Sequence, residues 1–291
     1  MNDGPVEAGM RTAVSTCFSA IDHLICYITF LCRTLSGWSY TVVPGILIIA
    51  EFSLALIVLV LLFFINAPYG RYIRKGWGPT IPARFGWMIM EFPAFAVIAG
   101  LLLTNEHAAG PYGILFLLMW EAHYVYRVWV YPFLLTSPSK PFPLLLVFFA
   151  ICFNTINGTI NGQSLIALGP QYGIRNWATD PRLWIGCCMF AAGFAIHGHS
   201  DRILRRLRRK GNGDYLLPGG GMFKFVASPN YLGEIVEWAG WAVATWSLAG
   251  AAFAVFTIAN LLPRAVSNLR WYREKFADFP RTRKALLPFV W

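Results

Sequence analysis

Ionisable side chains interrupt several long apolar stretches of this sequence, and their positions are the first indication of chemistry. Glu91 lies in the apolar run WMIMEFPAF, two residues before Pro93, which loosens the helix backbone beside it. A second apolar run carries a group of polar residues: Glu121, His123, Tyr124, Arg127 and Tyr131. Ionisable groups are costly in an apolar environment, so each one is by default a candidate for a functional site.

Three further segments carry polar residues at helical spacing. The stripes are Asn154, Asn157 and Asn161; Asp201, Arg205 and Arg208; and Asn230, Glu234 and Glu237. Spacings of three and four residues place each stripe on one face of a helix. Because lipid cannot satisfy polar groups, we expect these faces to meet and to form a polar cavity inside a helical bundle. Hydrogen bonds that only hold helices together are the alternative, and for the asparagine stripe both interpretations carry equal weight.

Other polar groups have simpler interpretations. Glu121 can pair with Arg127 on the same helix, and Glu51 lies near the end of an apolar run, where it can face lipid headgroups. His197 and His199 are potential metal ligands, since imidazole is a common one. No third ligand lies at a fitting spacing, so we predict no metal site.

The segment 202–229 is long, basic and rich in glycine, with Pro218 ahead of three glycines. Arg and Lys form charge-assisted hydrogen bonds with phosphate, and glycines let backbone amides approach it, so this predicted loop suits an anionic ligand. No GxGxxG fingerprint follows a strand pattern, which argues against a Rossmann domain. A dinucleotide would therefore bind within the helical bundle.

Long apolar helices must position these residues. Of 291 residues, 57% are hydrophobic and only 13% are charged, where a soluble domain has about 25% charged. Apolar runs alternate with short basic loops, as in membrane-spanning helices. We predict an all-α integral membrane protein, a seven-transmembrane helix bundle enclosing a cofactor and substrate cavity. The predicted spans are 45–66, 83–104, 112–135, 142–163, 182–201, 230–247 and 249–264, with the last turn at Ser247–Gly250.

The charge distribution predicts the topology and the partners. The formal net charge of +10 does not indicate nucleic acid, because Lys and Arg fall in loops that contact membrane lipids or an anionic cofactor. Seven spans place the basic loops and the C-terminus on one side, which is cytoplasmic by the positive-inside rule. The host membrane would be the inner membrane in a bacterium and the endoplasmic reticulum in a eukaryote. Residues 1–44 are predicted to be an extension, with an interfacial helix at 12–33.

Several of these segments resemble the steroid 5α-reductase family, close to its vertebrate type 1 and type 2 enzymes. The similar segments are IPARFGWMIMEFPAFAVIAG (81–100), AHYVYRVWVYPFLL (122–135), the stretch 199–246 with Pro-Gly-Gly and Asn-Tyr-Leu-Gly-Glu, and the tail 270–291. The resemblance covers roughly residues 45–291, which would form one catalytic domain. The segments around Glu91 and Tyr124 point most narrowly to 3-oxosteroid substrates.

The resemblance implies an NADPH-dependent oxidoreductase that reduces the Δ4 double bond of 3-oxosteroids, with hydride to C5 and a proton to C4. It places Glu91 and Tyr124 at the C3 carbonyl, where Tyr124 donates to the oxygen and Glu91 orients Tyr124 or donates directly. The implied cofactor residues are Lys140, His197, Asp201, Arg205, Arg208, Tyr215, Asn230, Glu234, Trp238, Arg264 and Tyr272. The substrate would be a steroid or sterol-like lipid, and the protein a monomer.

Three other functions have to be weighed against this one. A related membrane lipid reductase acting on sterols or polyprenols shares the C-terminal motifs. An S-adenosylmethionine-dependent membrane methyltransferase would share the C-terminal fold but has no evident need for Glu91 and Tyr124. A transporter would be expected to show repeat symmetry, which the sequence does not have.

Overall fold

A computed structural model describes residues 42–105, 111–174, 176–211 and 214–288. The chain divides into two units, Met1–Gly45 and Ile46–Trp291, and the second contains all residues of the site discussed below. The interfacial helix expected at 12–33 lies outside the described residues. The boundary between an extension and a catalytic domain therefore stays a prediction.

The described chain is mostly helical. Its helices are α1 (Val42–Phe64), α2 (Ala83–Leu103), α3 (Pro111–Val125), α4 (Tyr131–Leu134), α5 (Leu144–Ile174), α6 (Pro181–Lys210), α7 (Pro229–Thr245) and α8 (Leu248–Lys275). A π-helical turn, Tyr126–Val130, joins α3 to α4, so these three pieces correspond to one predicted span. Each of the seven predicted spans thus coincides with a helix.

Four helical segments are long and apolar enough to cross a membrane by length and composition: Pro44–Phe64, Ala83–Leu103, Leu144–Gly169 and Leu248–Lys275. Large apolar side chains cover much of the outer surface, among them Phe64, which is 83% exposed, and Leu103, which is 75% exposed. Exposed apolar surface on this scale, on helices of this length, is typical of a protein surrounded by lipid. The apolar helices therefore identify a membrane protein.

Two predicted boundaries were wrong. Residues 202–210 belong to α6 instead of a loop, because no helix breaker occurs before Gly211, where the helix ends. Half-buried Ile203, Leu204 and Leu207 alternate there with arginines, which gives this extension an apolar face. The turn between α7 and α8 lies earlier than Ser247–Gly250: Trp246 is left-handed, and Ser247 caps α8 by accepting a hydrogen bond from the Gly250 amide at 2.9 Å.

Short connections tie the loops together at one end of the bundle. Strands β1 (Thr80–Pro82) and β2 (Pro141–Pro143) pair antiparallel, with Ile81 opposite Phe142. They join the loop before α2 to the loop before α5. At the same time Val226, ahead of α7, forms a parallel bridge with Lys284 in the C-terminal tail. The tail is thereby attached to the loop that precedes α7.

Helices α6 and α7 pack with their backbones in direct contact. Glycines seven residues apart on each helix line this glycine seam, and a Cβ atom there would lie 2.3–2.4 Å from a backbone nitrogen of the facing helix: Gly186, Gly193, Gly233 and Gly240. Small residues allow such an approach between apolar helices. The seam fixes the rotation of both helices, and with it the direction of every polar side chain that they carry.

We predict that Gly193→Ala lowers thermal stability, because its Cβ would meet the Glu237 amide at 2.3 Å. Overpacking of this kind costs about 1–3 kcal/mol. Gly198→Ala on the same helix is the matched control, since its Cβ would meet no atom within 4 Å and alanine favours a helix. The measurement is thermal unfolding in detergent. Equal melting temperatures for the two variants would contradict the glycine seam.

Candidate active site

A cavity of about 520 Å³ lies between the helices, and each polar stripe contributes at least one residue to its lining. All but two of the predicted site residues line it: Glu91, Tyr124, His197, Asp201, Arg205, Arg208, Asn230, Glu234, Trp238, Arg264 and Tyr272. They come from α2, α3, α6, α7 and α8. The convergence follows from helical spacing and from the glycine seam, which turns the stripes of α6 and α7 to the same side.

The two remaining predicted residues, Lys140 and Tyr215, line a second cleft of about 560 Å³. Arg208 lines both spaces, so the cleft and the cavity adjoin. Arg209, which the sequence did not single out, also lines the cleft. Three cations thus surround a space next to the main cavity, and such a cluster suits a phosphate-bearing ligand.

Glu91 forms an ion pair with Arg127, with the Arg127 Nη2 atom 2.9 Å from Glu91 Oε1. The amide of Asn154 donates to Glu91 Oε2 at 3.4 Å and to the Met90 carbonyl at 2.6 Å. The prediction that Arg127 pairs with Glu121 was wrong. Arg127 lies on the π-helical turn after α3, lines the cavity and pairs with Glu91 on α2 instead.

Tyr124 is 2% exposed, and aromatic rings hold it in place. Its ring centroid lies 5.0 Å from Trp120 and 5.9 Å from Trp238. Within the described residues Glu91 bonds to Arg127 and Asn154 and not to Tyr124. Glu91 and Tyr124 therefore line one cavity without a direct hydrogen bond between them, and the roles expected of them at a carbonyl group stay a prediction.

His123 and Glu237 form a buried pair that the sequence did not indicate. His123 Nδ1 lies 2.8 Å from Glu237 Oε1, and the residues are 2% and 0% exposed. His123 lines the cavity and packs against Trp238, with ring centroids 4.8 Å apart. The pair joins α3 to α7 at the depth of Tyr124. Spacing alone could not reveal it, because the two residues are far apart in sequence.

A polar cluster joins α6 and α7 beyond the seam. His197 Nδ1 lies 3.2 Å from the Asn230 carbonyl and 3.6 Å from Glu234, and its Nε2 lies 3.6 Å from Asp201. The Asn230 amide donates to Asp201 at 3.4 Å. These residues supply both donors and acceptors to the cavity, as binding a polar ligand requires.

Arg71 is a cation that the sequence analysis missed. It lies in a short 3-10 helix, Gly70–Tyr72, after α1, and its guanidinium stacks 4.2 Å from Trp271 and 5.2 Å from Tyr272. Arg71 lines the cavity, and its Nη1 atom is buried with no hydrogen-bond partner among the described residues. A buried cationic donor without a partner suits an anionic ligand. The sequence did not indicate a binding role for Arg71, because it is one of several basic residues in a loop.

The same end of the cavity holds a neutral hydrogen-bond chain. Burial raises the pKa of the Tyr72 phenol above its usual range, so the phenol keeps its proton and donates to Asn268 at 3.5 Å. Asn268 donates in turn to Ser228 at 3.1 Å. Arg264 donates to the Tyr231 hydroxyl at 3.2 Å. The bonds of Asn268 and Arg264 hold α8 against the beginning of α7 at this end of the cavity.

The asparagine stripe serves both purposes considered for it: one residue lines the cavity, and another joins two helices. Asn154 lines the cavity, whereas Asn161 accepts a hydrogen bond from Trp241 at 2.9 Å and donates to Asn157 at 2.8 Å. The hydrogen bond from Trp241 to Asn161 holds α5 against α7. Glu51 does not face headgroups as expected: it is only 3% exposed on α1.

Comparison with known proteins gives one consistent family. Residues 140–291 match the family model for 3-oxo-5-alpha-steroid 4-dehydrogenase. The chain is 40% identical over 238 residues to steroid 5-alpha-reductase DET2 of Arabidopsis thaliana, covering 80% of this chain and 90% of the relative. It is 39% identical over 246 residues to 3-oxo-5-alpha-steroid 4-dehydrogenase 1 of Bos taurus, covering 82% and 94%. For 3-oxo-5-alpha-steroid 4-dehydrogenase 2 of Homo sapiens the identity is 40% over 225 residues, covering 76% and 87%.

The ion pair between Glu91 and Arg127 gives a stability prediction. Arg127→Gln leaves Glu91 without its countercharge in a largely buried site, since both side chains are 11% exposed. We expect a loss of about 3 kcal/mol in the free energy of unfolding. Arg182→Gln, which breaks a more exposed pair with Asp180, should cost at most about 1 kcal/mol. Chemical unfolding in detergent compares the two, and similar losses would contradict the assigned pairing.

Proposed function

The chain belongs to the 3-oxo-5-alpha-steroid 4-dehydrogenase family, an oxidoreductase family, and we propose that it reduces the Δ4 double bond of 3-oxosteroids with NADPH to give 5α-3-oxosteroids. The observation that carries this proposal is the single cavity in which Glu91 and Tyr124 line one region and a cation-lined cleft adjoins another. A lipophilic ketone and an anionic dinucleotide need these two environments side by side.

The apolar walls of the cavity support a steroid as the substrate. Val58 and Leu61 of α1, Phe149 and Phe153 of α5 and Phe256 of α8 line it. Phe153 and Phe256 stack with ring centroids 3.9 Å apart, which makes a flat aromatic surface. A rigid fused-ring lipid buries apolar area against such a surface without losing internal freedom.

Tyr124 is the proposed hydrogen-bond donor to the C3 carbonyl oxygen. As C5 is reduced, that oxygen gains enolate charge, and a fixed donor in a dry site lowers the barrier by roughly 3 kcal/mol. The ring contacts with Trp120 and Trp238 hold the phenol in one orientation. Glu91 holds Arg127 at the cavity wall, so the polar corner around the carbonyl carries a paired charge.

The polar residues beyond Tyr124 fit NADPH. The buried Nη1 atom of Arg71 has no partner in the described ranges, and Lys140, Arg208 and Arg209 line the adjoining cleft, which suits the phosphate groups. Asp201, Arg205, Asn230 and Glu234 would hold ribose and amide groups, with His197, Tyr215, Trp238, Arg264 and Tyr272 as further contacts. When bound, NADPH would supply the hydride for C5, while C4 takes a proton. The cationic cleft favours NADPH over NADH, since Arg and Lys form charge-assisted hydrogen bonds with the 2′-phosphate that only NADPH carries.

We place the cofactor end of the bundle in the cytoplasm. The basic end of α6, the loop before α7 and the C-terminal tail lie at this end, and excess Lys and Arg mark the cytoplasmic side. The steroid would enter from the membrane. In this arrangement the enzyme is a monomer in the inner membrane of a bacterium or in the endoplasmic reticulum of a eukaryote.

Tyr124→Phe and Glu91→Gln test the proposed chemistry. With testosterone and NADPH, we expect the first to lower kcat about 100-fold, because one oxyanion donor is lost. We expect the second to lower it similarly, because the charge that holds Arg127 is lost. The measurement follows cofactor absorbance together with the 5α-reduced product.

Tyr112→Phe is the matched control, since Tyr112 lies on the same helix and its hydroxyl accepts a hydrogen bond from the Ala178 amide away from the cavity. Its turnover should equal that of the wild type. Unchanged kinetics in both site variants would refute the assigned roles. Reduction of polyprenols or sterols without any 5α-steroid product would favour a related lipid reductase.

The cationic cleft gives a cofactor prediction. We expect Lys140→Gln combined with Arg209→Gln to weaken NADPH binding about 10-fold or more while it leaves NADH binding nearly unchanged. Arg206→Gln is the control, because this exposed arginine of α6 lines neither the cavity nor the cleft. Fluorescence titration gives both dissociation constants. A parallel loss for the two cofactors would show that the cleft does not bind the 2′-phosphate.

A further inference from the structure

Two polar side chains of α8 face the cavity without a protein partner. Thr257 and Asn260 lie one helical turn apart and both line the cavity. Thr257 is 5% exposed. Among the described residues, neither side chain has a hydrogen-bond partner. The proposed chemistry at the C3 carbonyl and in the cofactor cleft assigns them no role.

Thr257 differs from several other hydroxyl-bearing residues in the apolar helices. Such residues usually satisfy their hydroxyl on the carbonyl four positions earlier. Thr155 donates to Ile151 at 2.8 Å, Thr159 donates to Thr155 at 2.7 Å, and Ser53 of α1 donates to Ile49 at 2.9 Å. Thr257 makes no bond of this kind, so its hydroxyl is available to a molecule in the cavity.

An aromatic surface separates this pair from the carbonyl site. Glu91 and Tyr124 belong to α2 and α3, whereas Thr257 and Asn260 belong to α8. Ring contacts lead from one to the other: the Tyr124 ring lies 5.9 Å from Trp238, Trp238 lies 4.4 Å from Phe253 of α8, and Phe256 of α8 stacks on Phe153. A rigid ring system whose carbonyl is held at Tyr124 would lie along this surface, and its opposite end would meet a different part of the wall.

We infer that Thr257 and Asn260 recognise an oxygen at the end of the substrate remote from its 3-oxo group, and that the enzyme prefers substrates with a hydroxyl or carbonyl there over substrates with only hydrocarbon. Both side chains donate and accept hydrogen bonds, so either kind of oxygen fits. A substrate without the oxygen would leave two polar groups unpaired against hydrocarbon, which costs free energy. The inference rests on the proposed function.

The test compares two steroids that differ only at C17: testosterone, with a 17β-hydroxyl, and androst-4-en-3-one, with none. The quantity is the ratio of their kcat/KM values. We expect Asn260→Leu and Thr257→Val each to lower this ratio about 5-fold, the size of one neutral hydrogen bond. They should do so by slowing testosterone and leaving androst-4-en-3-one unchanged or faster.

Two controls separate hydrogen bonding from packing. Asn260→Ala removes the same amide with a different volume, and it should lower the ratio as much as Asn260→Leu does. Thr155→Val removes a hydroxyl from an exposed position outside the cavity and should leave the ratio unchanged. A folding defect cannot imitate the result, because it would lower both rates together and keep their ratio.

Four outcomes would overturn the inference. An equal fall for both steroids in Asn260→Leu would show that the residue serves packing. A raised NADPH dissociation constant in that variant, with an unchanged ratio, would assign Asn260 to the cofactor. Reduction of neither steroid by the wild-type protein would refute the proposed function itself, whereas reduction of both with an unchanged ratio in every variant would refute only the role of α8.

Discussion

Direct contact between the backbones of α6 and α7 is the constraint on which the site depends. Glycines at both faces of the seam bring a backbone nitrogen of one helix to 2.3–2.4 Å from where a Cβ of the other would lie. At that separation neither helix can rotate without a clash. His197 and Glu234 therefore face the cavity together, and Glu237 reaches His123 on α3. A wider spacing would leave these groups buried without partners, which an apolar bundle cannot tolerate.

Some buried polar groups have an ion-pair partner within the protein, and others have an atom without one. Glu91 is matched by Arg127, and His123 by Glu237. Arg71 lines the cavity, and its Nη1 atom has no partner within the part of the chain that the structure describes. A buried cationic donor that lines the cavity and lacks a partner among the described residues suits an anionic ligand.

Much of this arrangement could be predicted from the sequence. Apolar runs separated by basic loops gave the helices, and three-to-four spacing gave the faces that meet. Pair partners could not be predicted, since they depend on helix rotation: Arg127 bonds to Glu91 on another helix and not to Glu121. The extension of α6 through 202–210 was missed because arginines hid an amphipathic pattern. Arg71 and Asn260 were missed because a single polar residue forms no stripe.

The order of side chains along α8 explains how one bundle can serve two unlike ligands. Phe253 and Phe256 face the cavity first, then Asn260, and then Arg264 and Tyr272. At 1.5 Å per residue, the step from Phe256 to Arg264 is about 12 Å, close to the length of a four-ring lipid. Polarity thus rises along the helix toward the basic end of α6. A lipophilic ketone can lie against the apolar end of this series, where Tyr124 packs on Trp238 and Trp238 packs on Phe253, while an anionic dinucleotide suits the end that carries Arg264 and Tyr272.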